Sequence, residues 1–199
     1  MTVSLLALAL AATPKIDVRL PRNPRTVVGM ETERRVRAHV AKASRWITKL
    51  AAQDDYRSAR YELAVVGENR ALDLGRSSTL LAIYNYTGGA HGMTSFVTVN
   101  LRAANGKVRE VRLRDLFSSP DYRSVVETAL LTKLRDMPGA SWVESGEVRE
   151  FTPAQLEVFT HDRDGRLTFY FEPYALGPYS SGSFEVTLSK AELGSTYRG

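Results

Sequence analysis

The chain has 199 residues, 43% of them hydrophobic, which fits one domain, or one domain with an N-terminal extension, around an ordinary core. With no cysteine, disulfides, thiol nucleophiles and thiolate metal sites are excluded. A formal net charge of +5 admits acidic partners such as nucleic acid, anionic wall polymer or a lipid surface.

Thr2 to Ala12 form an apolar run too short to span a bilayer as a helix, and it ends in the small residues Ala9-Leu10-Ala11-Ala12. Residues 1–12 are therefore expected to be a signal peptide, although no Lys or Arg precedes the run. Residues 13–30 read as a linker or an edge strand: Ile16, Val18 and Leu20 alternate until Pro21 and Pro24 interrupt them. Residues 31–199 are expected to form a single α+β domain.

Thr32 is predicted to cap a helix running to about Gln53. Val36, Val40, Ala43, Ile47 and Leu50 fall on one side of it, and Arg34, Arg35, Lys42, Arg45 and Lys49 on the other. The period then changes to two. Tyr61, Leu63 and Val65 alternate, Ser78 to Tyr86 is nearly continuous in apolar and aromatic residues, and Met93, Ser95, Val97, Val99 and Leu101 alternate with Thr94, Phe96, Thr98 and Asn100. Gly88, Gly89 and Gly92 let the chain reverse between Tyr86 and Met93, and Asn105-Gly106 predicts a hairpin into Val108 to Leu113.

A second helix is predicted with Ser119 as cap, Pro120 as first residue, Val126, Leu130 and Leu134 inward, and Pro138-Gly139 as the stop. A short helix is expected at Thr152-Pro153. Strands near Leu156 to Thr160 and Leu167 to Glu172 flank the turn from His161 to Gly165, and Phe184, Val186 and Leu188 alternate in a last strand. The fold class is α+β: an antiparallel meander with helices packed on one face. Its core is expected to unite Leu63, Val65, Leu81, Ile83, Val97, Val99, Phe169, Phe171 and Val186.

An ordered set of motifs then carries a resemblance. Tyr84-x-Tyr86-x-Gly88-Gly89-Ala90-His91, the Asn105-Gly106 hairpin, Leu113-Arg-Asp115-Leu-Phe117, and Phe169-Tyr-Phe-Glu-Pro-Tyr174…Gly177-Pro178-Tyr179-x-x-Gly182-x-x-Glu185-Val186 resemble the extracellular domain of RsiV-type anti-sigma factors. The same domain forms the non-catalytic N-terminal region of PdaC-type peptidoglycan deacetylases. The likeness covers about Tyr56 to Leu193. It implies an exported α+β module at the cell envelope, which in the RsiV case binds lysozyme. The sequence contains neither a transmembrane segment nor a deacetylase domain, so regulation and deacetylation are not implied.

Each candidate site also admits a purely structural role. His91, with Tyr84, Tyr86 or Ser180, has the residue types of a base beside a nucleophile, but no G-x-S-x-G elbow or orienting carboxylate accompanies it; a backbone hydrogen bond in the loop is the commoner role. His39, His91 and His161 lack metal-site spacing, and Asp162-Arg-Asp164-Gly165 lacks the other positions of a calcium loop, so neither metal nor cofactor is expected. Nucleic acid is not expected either, because Trp46 alone does not interleave the basic helix with aromatics.

The binding candidates are Tyr86, Gly88, Gly89 and His91 on the first loop and Tyr174, Pro178, Tyr179 and Ser180 on the second. Tyrosines on a Gly- and Pro-shaped loop offer large contact area at low entropic cost. The leading expectation is an exported, non-enzymatic envelope module binding a protein, such as a lysozyme-like muramidase, or a cell-wall glycan. The alternatives are a small cell-wall or ester hydrolase using His91, and a polymer-binding protein using the basic helix.

Overall fold

In the computed structural model, which describes residues 13–54 and 60–199, Thr26 rather than Thr32 starts the first helix. Its side chain accepts the Gly29 N–H, satisfying a donor that the first turn leaves unpaired. The helix α1 runs Val27–Ala52. Thr32 is buried inside it, where its Oγ1 donates to Val28 O or shares a 2.6 Å hydrogen bond with Ser77 Oγ of the neighbouring strand. The apolar run at residues 1–12 lies outside the described residues.

Among the described residues, eight strands form two sheets. The larger has the order β1 (Lys15–Arg19), β2 (Tyr61–Leu72), β3 (Arg76–Thr87), β4 (Met93–Ala104) and β5 (Lys107–Glu110). β1 pairs parallel to β2 as an edge strand, and β2 to β5 form an antiparallel meander. Asn105 (φ 52) and Gly106 (φ 71) make the β4–β5 turn in the left-handed region that such a hairpin demands. The smaller sheet contains β6 (Phe159–His161), β7 (Leu167–Phe171) and β8 (Phe184–Leu188), all antiparallel. β6 begins later than expected, because Thr152 and Gln155 cap a helical turn, α4 (Pro153–Leu156), that takes up the preceding residues.

The remaining helices are α2 (Tyr122–Arg135), α3 (Ser141–Glu144) and α5 (Lys190–Leu193). α2 starts two residues after Pro120; Ser119 Oγ accepts from Asp121 N instead of capping the helix. Val126, Leu130 and Leu134 are its buried stripe.

The expected single core is two. Leu63, Val65, Leu81, Ile83 and Val99 pack with Val28, Val36 and Ile47 of α1, with Val97 half-buried at the margin. Phe169, Phe171 and Val186 belong to a separate cluster built on Val126, Leu130 and Leu134 of α2. Each sheet thus has its helices on one face, and the two sheets meet through the faces left over.

That junction is polar. β6 is an edge strand, and an edge exposes unpaired N–H and C=O groups. Here side chains of the large sheet satisfy them. Asn100 Nδ2 donates to Phe159 O (2.7 Å), His161 N donates to Ser78 Oγ (2.9 Å), and Ser78 Oγ donates to Asn100 Oδ1 (2.6 Å). Farther along β4, Thr98 Oγ1 donates to Glu157 O and the Phe96 ring meets the Tyr170 ring at 5.6 Å. Arg70 adds an ion pair to Glu185 of β8 at 3.2 Å.

Replacing Asn100 with Ala leaves the buried Phe159 carbonyl without a donor. Denaturant unfolding should show Asn100→Ala to be destabilised by about 1–3 kcal/mol, whereas Thr132→Ala on the exposed face of α2 should stay within about 0.5 kcal/mol of the parent. Equal stabilities for the two variants would contradict the role of the junction.

Candidate functional site

The two glycine-rich loops, more than eighty positions apart in sequence, meet in space. β3 ends at Thr87 and β4 begins at Met93, so the chain reverses where the glycines stand. Only one of the three uses the left-handed region: Gly88 has φ 86. Gly92 leaves space for the Tyr84 ring, which a Cβ there would force to move. Gly89 meets neither demand.

On the other side, the chain after β7 turns at Tyr174, which is held at φ 69, and continues through Pro178 into a 3-10 turn at Tyr179–Ser181. A non-glycine residue in that region is strained, and persists only where its surroundings over-determine it.

His91 is the meeting point. Its ring stacks on Tyr179, with centroids 3.6 Å apart and planes 19° from parallel. Tyr174 closes the group, tilted against Tyr179 at 5.6 Å and with its hydroxyl 3.3 Å from His91 Nε2. Hydrogen bonds assign the tautomer. His91 Nδ1 lies 3.2 Å from Gly92 O, and a carbonyl can only accept, so Nδ1 carries the proton and Nε2 accepts from the Tyr174 hydroxyl. Tyr179 Oη donates to the same Gly92 carbonyl at 2.8 Å. Both lone pairs of that oxygen are thereby used, and one carbonyl fixes the stacked pair. Tyr174 remains 47% exposed.

Of the residues proposed from sequence, the structure unites His91, Tyr174 and Tyr179, with Gly88 shaping the turn. Tyr86 is half-buried near the end of β3, Pro178 leads into the 3-10 turn, and Ser180 is exposed; none of these hydrogen-bonds His91 among the described residues. Gly92, expected only to help the chain reverse, also supplies the carbonyl that holds His91 and Tyr179, and the Tyr84 ring packs against it. Beside the cluster, Gln155, Tyr170, Glu172, Tyr174 and Ala175 line an open cavity of about 340 Å³. Chemically, the cluster offers a flat aromatic surface, one phenol and an adjacent carboxylate. His91 contacts two phenols and a main-chain carbonyl, with neither serine nor carboxylate as its partner among the described residues.

The other candidates separate from this place. Arg34 and Arg35 of α1 are held by Glu31, Arg35 also by Glu110, and Arg37 by Glu33, which leaves Lys42, Arg45 and Lys49 as the exposed cations of that helix with no ion pair among the described residues. Arg34 and Arg35 draw the Glu31 carboxyl down to about 2. Burial, and then Lys42 and Arg35, lower the pKa of His39. The Asp162 and Asp164 carboxylates are taken by Arg166 at 2.6 and 3.3 Å. Among the described residues no three His, Asp or Glu side chains group as a metal site requires, and no helix is long and apolar enough to cross a membrane.

Residues 114–191 match the family model described as "Protein of unknown function (DUF3298)". The chain carries a DUF3298 domain. A solved member of the DUF3298 family from Bacteroides fragilis NCTC 9343 is similar at 21% identity with a TM-score of 0.53, over 85% of this chain and 69% of that one. A DUF3298 family protein from Pseudomonas aeruginosa PAO1 gives 21% identity and a TM-score of 0.44, over 68% of this chain and 62% of its own. No curated protein matches. The first likeness speaks for the fold alone. The aromatic cluster straddles the edge of the matched segment: Tyr174 and Tyr179 lie within the DUF3298 domain, while His91 is brought to it by the preceding hairpin.

Gly92→Ala should displace the Tyr84 ring and disturb the shared carbonyl, whereas Gly89→Ala should be silent. In NMR spectra the cross-relaxation between His91 and Tyr179 ring protons should vanish in the first variant and persist in the second. Its survival in Gly92→Ala would refute this description of the turn.

Proposed function

We propose that the protein is an exported, non-enzymatic envelope module that binds a protein or a cell-wall glycan through the His91–Tyr174–Tyr179 surface. The observation that carries this reading is the exposed Tyr174 ring, held in a strained backbone conformation beside a stacked His–Tyr pair. Preorganised aromatic groups lose little freedom on contact and supply much of the energy of recognition interfaces. The adjoining cavity, with Glu172 and Gln155 in its wall, adds polar groups that orient a ligand.

The resemblance to RsiV-type extracellular domains and to the N-terminal region of PdaC-type deacetylases supports the envelope setting, and the apolar segment at residues 1–12 supports export. Lysozyme and peptidoglycan are therefore the first partners to try. The hydrolase reading receives less support, because His91 faces phenols and, among the described residues, no carboxylate orients it. The basic-helix reading is also weakened, since Glu31 and Glu110 hold part of its charge.

Co-sedimentation with insoluble peptidoglycan and capture on immobilised lysozyme would test the proposal. Tyr179→Ala should weaken capture by more than about 1 kcal/mol, the scale of an interface anchor, without unfolding the domain. A double charge reversal at Lys42 and Lys49 should matter less, and chiefly at low salt. If the charge reversal abolishes capture and Tyr179→Ala is silent, the function belongs to α1; if neither polymer nor protein is retained, the proposal fails.

A further inference from the structure

Away from the aromatic cluster, at the opposite end of the β3–β4 hairpin, lies a cavity of about 360 Å³ with unusual charge. Five basic residues line it: Arg76 and Arg102 from paired positions on β3 and β4, Arg163 from the β6–β7 turn, Lys190 from α5, and Arg198. Only two acidic residues, Asp115 and Asp162, share the wall.

Both aspartates are already engaged. Asp162 accepts from the Asp164 and Arg166 N–H groups and from Arg166 Nε at 2.6 Å. Asp115 accepts from Arg112 N at 2.9 Å and faces Arg114 at 3.7 Å. The cations are mostly unpaired. Arg163 donates to Leu72 O, and Arg76 has one 3.7 Å contact with Asp73. Arg102, Lys190 and Arg198 form no side-chain hydrogen bond or ion pair among the described residues. Like charges gathered around a concave, partly desolvated surface repel one another, and the same field attracts an anion.

Two further features belong to this place. Gly165, at φ 75, packs directly against the end of the Lys190 side chain, which an added Cβ would push aside. Just behind the lining, beside Gly199, the buried Tyr197 hydroxyl has no hydrogen-bond partner among the described residues.

We propose that this cavity binds a small oxyanion with at least two negative charges, gripped by Arg102, Lys190 and Arg198. Two planar guanidinium forks suit paired oxygens of a phosphate or a carboxylate, and the lysine adds a point charge. Phosphorylated and polycarboxylate ligands share that chemistry, so both are included in the test. The site is independent of the binding surface around His91.

The experiment is calorimetric titration of the full chain with inorganic pyrophosphate and, separately, citrate, against sodium chloride of equal ionic strength. Saturable binding of either anion is expected, and the stronger of the two assigns the class. Arg102→Gln and Arg198→Gln, both at exposed side chains, should each weaken binding at least tenfold. Arg45→Gln on α1 should leave binding unchanged. Unliganded variants should melt no lower than the parent, because removing one of several like charges relieves repulsion. Should neither anion bind beyond the chloride control, or should both cavity variants bind as tightly as the parent, the proposal is overturned.

Discussion

The structure depends on how the outer edge of β6 is satisfied. A short edge strand with free amides and carbonyls must be covered, and here Ser78 and Asn100 of the large sheet reach across to Phe159 O and His161 N. The three hydrogen bonds form a closed set in which each side chain both positions the other and satisfies the backbone. An apolar pair at these positions would leave two buried main-chain groups unpaired, at a cost larger than the net gain from ordinary packing of such small side chains.

This junction sets the distance and register between two separately packed cores. From Asn100 the contact runs along one face of β4, through Thr98 with Glu157 and Phe96 with Tyr170, to the hairpin tip where Gly92 receives Tyr179. The aromatic cluster is therefore the far end of the interface between the sheets. The cationic cavity lies near its other end, where His161 contributes its main chain to the junction and its ring to the cavity wall. Burial first, and then Arg76, lower the pKa of that ring. Two candidate sites of opposite character thus share one supporting interface.

Much of this was legible residue by residue. Period-two alternation located β2 and β4, a nearly continuous apolar run located β3, and Asn105-Gly106 located their hairpin partner, because steric rules at those positions are local. Cap residues were less reliable: Thr32 has the right chemistry for a cap, yet its hydroxyl bonds back to Val28 and across to Ser77, while Thr26 does the capping. The helical turn α5 had a signal that went unread, Ser189 and Glu192 in a reciprocal cap. The split into two sheets left no local trace. Leu63 and Phe169 carry the same alternation but pack in different cores, since periodicity separates two faces without saying what covers each. Both loops of the aromatic cluster were recognisable as loops, but their convergence is a long-range fact. The cavity arginines, scattered from Arg76 to Arg198, form a group only once the chain is folded.

Hydrogen exchange at the His161 amide is the most direct test of the junction. In the native protein this edge amide should exchange as slowly as the central amides of β3, because Ser78 Oγ holds it in a buried setting. In Ser78→Ala its protection should fall selectively while the β3 amides remain slow. If the His161 amide in the native protein exchanges at the rate of an open strand edge, the two sheets are not joined as described, and the account of both sites loses its foundation.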